Sequence, residues 1–111
     1  MSENVDVAMI EQLKDLLGER FSELVDRFVE DGQQRVNLLQ SAVPVRNFDT
    51  INAEAHGLKG SSRNVGANAL GELCAILEDR GRAAEEKDIE TVFAAIEKEF
   101  AAVCDSLKSF L

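Results

Sequence analysis

Tryptophan and tyrosine are absent, and the 111 residues include one proline, one histidine and two cysteines. Each shortage removes a class of function. A single histidine, two distant cysteines and scattered carboxylates do not supply the converging ligands of a metal site. Cys74 and Cys104 each fall in an apolar helical stripe, so they read as buried free thiols of a reducing compartment, not as a disulfide. No apolar run approaches the roughly 20 residues of a membrane span. The acidic N-terminal stretch lacks the basic-then-apolar pattern of a signal peptide, and a cytoplasmic location is expected. Positive charge is also scarce: 12 Lys and Arg face 21 Asp and Glu, for a net charge of −9. Nucleic acid and anionic membrane both need a basic surface, so neither is expected as a main partner. A nucleotide-binding loop is missing as well. Gly57-Leu58-Lys59-Gly60-Ser61-Ser62 has neither the spacing of a phosphate loop nor a strand before it.

What is present is one helical domain spanning 1–111. Hydrophobic residues make up 45% of the chain, six of them Phe, a globular composition of a size that supports one core. Residues 6–17 carry Val7, Ile10, Leu13 and Leu17 at helical spacing, with Asp6 as N-cap and Gly18 as stop. Residues 19–43 form a longer amphipathic segment ending at Pro44, and Asn47 caps the next helix, which stops at Gly66. Residues 67–84 place Leu70, Leu73, Cys74, Leu77 and Gly81 on one side, and residues 88–110 carry a stripe from Ile89 to Phe110. Nothing alternates with period two over a useful length, so no strand is predicted. The pattern predicts an all-α fold, an up-down antiparallel four-helix bundle with a short additional N-terminal helix across one end. Each helix has one apolar stripe, which predicts a monomer.

The chemistry concentrates in residues 55–66, Ala-His-Gly-Leu-Lys-Gly-Ser-Ser-Arg-Asn-Val-Gly. Positions three and four apart are neighbours on a helix surface, so His56 has Lys59 and Gly60 beside it. Phe48, Ile51, Ala55, Leu58 and Val65 form the apolar stripe of this helix, with the small Ser62 among them as a packing residue. His56 lies about 130° from the middle of that stripe, on the solvent side. Asn52, Lys59, Gly60 and Arg63 share its face. A glycine inside a helix costs about 1 kcal/mol relative to alanine. Close approach by a partner's loop or by a phosphoryl group is a reason to keep Gly60. Ser61 points about 140° away from His56, towards a partner or its own backbone.

This segment resembles the signature of the histidine-containing phosphotransfer (HPt) domain of bacterial multistep phosphorelays. The resemblance rests on His56-x-Leu58-Lys59-Gly60-Ser61-Ser62, Gly66-Ala67, Leu70, Leu73 and Leu77-Glu78. It implies that His56 accepts a phosphoryl group from a phosphoaspartate of a receiver domain and passes it to a response regulator. It further implies that receiver domains of hybrid sensor kinases and response regulators are the partners. They would supply the aspartate and the Mg²⁺, with no cofactor bound by this chain and no autonomous kinase activity. Lys59 would offset charge on the phosphoryl oxygens, and Gly60 would leave room for the partner.

In the resembling family a polar side chain, often glutamine, 22 positions after the histidine orients the ring; here that position is Glu78. An ionised carboxylate can hold the second ring N–H and raise its basicity, and it repels a phosphoryl group if it stands too close. Arg82 is a candidate second cation. Asn52, Ser61, Arg63, Gly71 and Ala75 are candidate partner contacts. The competing expectation is a helical adaptor that binds a partner through the same face with no phosphoryl chemistry.

Overall fold

The computed structural model describes residues 4–111. Five α-helices follow one another: α1 (Val7–Leu17), α2 (Phe21–Ala42), α3 (Phe48–Asn64), α4 (Asn68–Arg82) and α5 (Ile89–Lys108), with a 3₁₀ turn, Gly18–Arg20, between the first two. No strand occurs among the described residues. α2 packs on α3, α3 on α4, α4 on α5, and α5 on α2. Short connections at alternate ends make the four long helices the expected up-down antiparallel bundle.

The helix boundaries follow from local chemistry. Asp6 caps α1 by accepting from the Met9 backbone N–H at 3.2 Å, and Asn47 caps α3 by accepting from Thr50 at 3.3 Å. Both stop signals are glycines in the left-handed region, Gly18 at φ 56° and Gly66 at φ 71°. The predicted second helix divides into the 3₁₀ turn and α2, and α2 ends two residues before Pro44. A helix interior cannot hold a proline, because the ring lacks the N–H and clashes with the preceding turn.

One core runs through the bundle. Leu39, Ile51, Leu58, Leu70, Leu77, Ile96 and Leu107 are fully buried, each contributing about 1.5–3 kcal/mol of transfer free energy. Both cysteines lie in it as free thiols; burial pushes the Cys74 thiol up to about 12, with help from the Glu78 charge. The α1 helix closes the end of the bundle where α3 turns into α4 and α5 finishes. The Asp6 N–H donates to Gly66 O at 2.9 Å, and Lys14 Nζ donates to Phe110 O at 2.6 Å. α3 and α4 remain open to solvent along their outer faces, where His56, Gly60, Arg63 and Glu72 are exposed.

Candidate functional site: an exposed histidine tethered to a carboxylate

The inner face of α3 is taken by Ile51, Ala55, Leu58 and Ser62, all buried, which turns His56 outwards with its side chain 69% exposed. The depth at which α4 packs then decides what the ring meets. Gly81 lets α4 come very close, since a Cβ there would stand 2.6 Å from the Asn52 backbone nitrogen. At the same crossing Asn52 Nδ2 donates to Glu78 O at 2.9 Å. These contacts hold Glu78 beside the ring, and its Oε2 lies 2.8 Å from His56 Nδ1. The other carboxylate oxygen, Oε1, pairs with Lys59 Nζ at 2.6 Å.

This geometry favours one arrangement of hydrogens on the ring. The Lys59 ammonium, and after it the His56 ring, hold the Glu78 carboxyl below its usual range, against an opposing effect of burial. Glu78 is therefore ionised at neutral pH and only accepts hydrogen bonds. The shared hydrogen belongs to Nδ1, and a neutral ring keeps its lone pair on Nε2. The outcome is a nucleophilic nitrogen on an exposed ring, with a cation one helical turn away.

Gly60 is exposed, and a Cβ built there would meet nothing within 4 Å. Packing inside the chain therefore gives no reason for glycine at this position. Gly57 is different. A Cβ there would run into the Arg35 guanidinium, which is held by Asp31 and Glu54 at 3.0 Å each. This arginine, packed over the glycine that follows the histidine but 22 positions before that glycine in the chain, is invisible to a local motif. The glycine at 57 was the signal that something large lies across α3.

Four candidate residues have other work. Arg82 pairs with Asp79, one turn back on its own helix, at 2.8 Å, and makes no hydrogen bond to the ring or to Glu78. Gly71 is buried, and its missing Cβ accommodates the Arg63 stem at 3.3 Å; a partner cannot reach it. Asn52 is half-buried with its amide committed to Glu78 O. The Ser61 hydroxyl donates to Gly57 O at 3.1 Å within its own helix. Ser62 is buried and bonds Leu58 O at 2.7 Å. Arg63 is exposed and Ala75 half-buried on the rim. A groove of about 230 Å³ lined by Leu24, Arg27, Phe28, Asp31, Ser61, Asn64 and Val65 does not include His56. Among the described residues no helix is long and apolar enough to cross a membrane.

Fold and site together define a helical bundle that presents one carboxylate-tethered imidazole on an open surface. The Hpt domain family model matches residues 23–106, and the chain belongs to that family. It is similar to histidine-containing phosphotransfer protein B (HptB) of Pseudomonas aeruginosa, with a TM-score of 0.91 and 28% identity over 98% of this chain and 95% of that one. A candidate histidine-containing phosphotransfer protein from rice superposes with a TM-score of 0.81, 27% identity, and coverage of 95% and 79%. Histidine-containing phosphotransfer protein 2 of rice is 40% identical over 55 residues. That alignment spans 48% of this chain and 37% of the rice protein.

Proposed function

We propose that this domain is a phosphotransfer intermediate of a two-component phosphorelay. His56 Nε2 takes a phosphoryl group from the phosphoaspartate of one receiver domain and gives it to the aspartate of another, in a response regulator. The observation that carries this reading is the 2.8 Å contact between Nδ1 and an ionised carboxylate on a ring left 69% exposed. It favours the tautomer that carries the lone pair on Nε2. Membership of the Hpt family and the likeness to HptB support it.

In the forward step the Nε2 lone pair attacks phosphorus, and the bond to the aspartyl oxygen breaks with its electron pair leaving on the carboxylate. Lys59 offsets the charge of the phosphoryl oxygens as a mobile point charge. Gly60 leaves the surface beside the ring bare, so a receiver's loops can close around the phosphorus. The receiver provides the aspartate and the Mg²⁺, while this chain provides the nucleophile, its orientation and one cation. In this reading the domain binds no cofactor, has no kinase activity of its own, and works as a monomer in the cytoplasm.

The test is transfer from a Mg²⁺-loaded, phosphorylated receiver domain to the wild type and to His56→Gln. Label should move to the wild type alone and should survive alkali but not acid. Equal labelling of both proteins would refute His56 as the site. Undiminished receiver binding, with no label on either, would favour an adaptor.

A further inference from the structure

We propose that Glu78 keeps Nδ1 protonated after His56 is phosphorylated on Nε2, and so makes the phosphoryl group quick to leave. The inference rests on the phosphotransfer reading above and concerns what this chain contributes to the return step.

When phosphorus bonds to Nε2 of a ring that already carries a hydrogen on Nδ1, the ring becomes a cation. That hydrogen can be lost, giving a neutral N-phosphoimidazole, or retained. The two forms differ as leaving groups. In discharge an aspartate oxygen, or water, attacks phosphorus, and the Nε2–P bond breaks with its pair returning to Nε2. If Nδ1 holds its hydrogen, neutral imidazole departs; without it, the far more basic imidazolate must depart. A group that stabilises the Nδ1–H form therefore sets the fraction of phosphohistidine ready to discharge.

Glu78 Oε2, 2.8 Å from Nδ1, is placed to do this. A carboxylate bonded to an N–H of a cationic ring makes a charge-assisted hydrogen bond, about twice as strong as a neutral one. An amide oxygen at the same place would still accept that hydrogen but would lack the negative charge that pairs with the cationic ring. The opposing charge is Lys59, which draws on the same carboxylate through Oε1 at 2.6 Å. An incoming phosphoryl group competes for that ammonium, and each step of Lys59 towards phosphate leaves more of the Glu78 charge for Nδ1–H.

The other nearby groups do not substitute. On α4, Cys74 is a buried thiol held protonated well above neutrality, and Asp79 pairs with Arg82. On α2, Arg35 is engaged by Asp31 and by Glu54 of α3. Arg63 lies two turns along α3 against Gly71.

The experiment uses the intact chain, phosphorylated by a small-molecule phosphoramidate and followed by ³¹P NMR as a function of pH, for wild type and Glu78→Gln. The variant should lower the pH midpoint of phosphoryl loss by about one unit. It should slow loss by about two- to fivefold between the two midpoints and by about tenfold above both, where one unit is a tenfold change in the protonated fraction. A merely positional role would change the rate and leave the midpoint where it is, and that result overturns the inference while phosphotransfer stands. Failure of the wild type to form phosphohistidine overturns the phosphotransfer reading and the inference with it. If circular dichroism shows Glu78→Gln unfolded, the comparison becomes the folded wild type against the same phosphorylated chain in urea. The folded midpoint should then be higher by about one unit, and an equal or lower value overturns the inference.

Discussion

Gly60 separates stability from function in a way that can be measured at one position. Glycine in an exposed helix interior costs about 0.5–1 kcal/mol relative to alanine, chiefly through the freedom of the unfolded chain. The cost is recovered only if the new side chain fits. Here it does, because a Cβ at position 60 meets nothing within 4 Å, and α3 continues in helical geometry from Phe48 to Asn64. Gly60→Ala should therefore stabilise the domain by about 0.5–1 kcal/mol, raising the thermal midpoint by a few degrees at this chain length. Transfer from a phosphorylated receiver should slow, because the methyl group stands where the partner must approach. Gly60→Gln should keep the fold and slow transfer further. The assays are thermal and urea unfolding by circular dichroism beside kcat/KM for phosphotransfer. Destabilisation by Gly60→Ala would refute the claim of open space, and an unchanged transfer rate in both variants would refute the role in access.

Two other substitutions probe the scaffold of the site. At Gly81 the added methyl meets the Asn52 backbone at 2.6–2.9 Å, and backbone cannot swing aside. Overpacking of about 1–3 kcal/mol opposes the helical gain of about 1 kcal/mol, so Gly81→Ala should destabilise by up to about 2 kcal/mol in urea unfolding. The same shift of α4 should disturb the Glu78–His56 hydrogen bond, visible in the chemical shift of Nδ1–H; wild-type stability would contradict the close packing. Arg82→Ala should transfer at the wild-type rate and change stability by less than about 0.5 kcal/mol, since its partner Asp79 is an exposed surface pair. A large loss of transfer would restore Arg82 to the site.

The fold was legible because it is written in periodicities and caps that act locally. The stripe through Ile51, Ala55, Leu58 and Ser62 fixed which side of α3 faces the core, and with it the exposure of His56. Asp6, Asn47, Gly18 and Gly66 ended helices through hydrogen bonds and φ angles reaching only a few residues. What sequence could not provide was the depth and register between helices. Glu78 was placed near the ring by resemblance, but its bridging position between Nδ1 and Lys59 depends on how closely α4 approaches at Gly81. The pairing of Arg82 was not legible because a shared helix face says nothing about which neighbour a long side chain chooses, and here that neighbour is Asp79 on its own helix. Gly71 was misread for a similar reason: it sits on the flank of α4, yet Arg63 covers it from α3. Arg35 went unseen because its relation to the site is wholly tertiary.

The committed state of these side chains bears on how such a domain can select partners. Within the proposed reading, the groups next to His56 are turned inwards: Glu78 to Nδ1 and Lys59, Asn52 to the α4 backbone, Ser61 to its own helix, and Arg35 to Asp31 and Glu54. A receiver docking over the ring therefore meets Gly60 as bare backbone and Lys59 as the cation able to exchange partners. Contacts of that kind fit the phosphoryl chemistry, which every receiver shares, and carry little information about which receiver has arrived. Discrimination must then come from residues further out, of which Arg63 and Ala75 are the rim positions on the two helices. The charge of the body acts at longer range. A net charge of −9 slows approach by acidic surfaces and favours basic ones, with an effect on association rate that fades as salt shortens the screening length to about 8 Å at physiological strength. Salt dependence of transfer should accordingly differ between receivers, while the chemistry at His56, shielded inside the docked pair, stays the same.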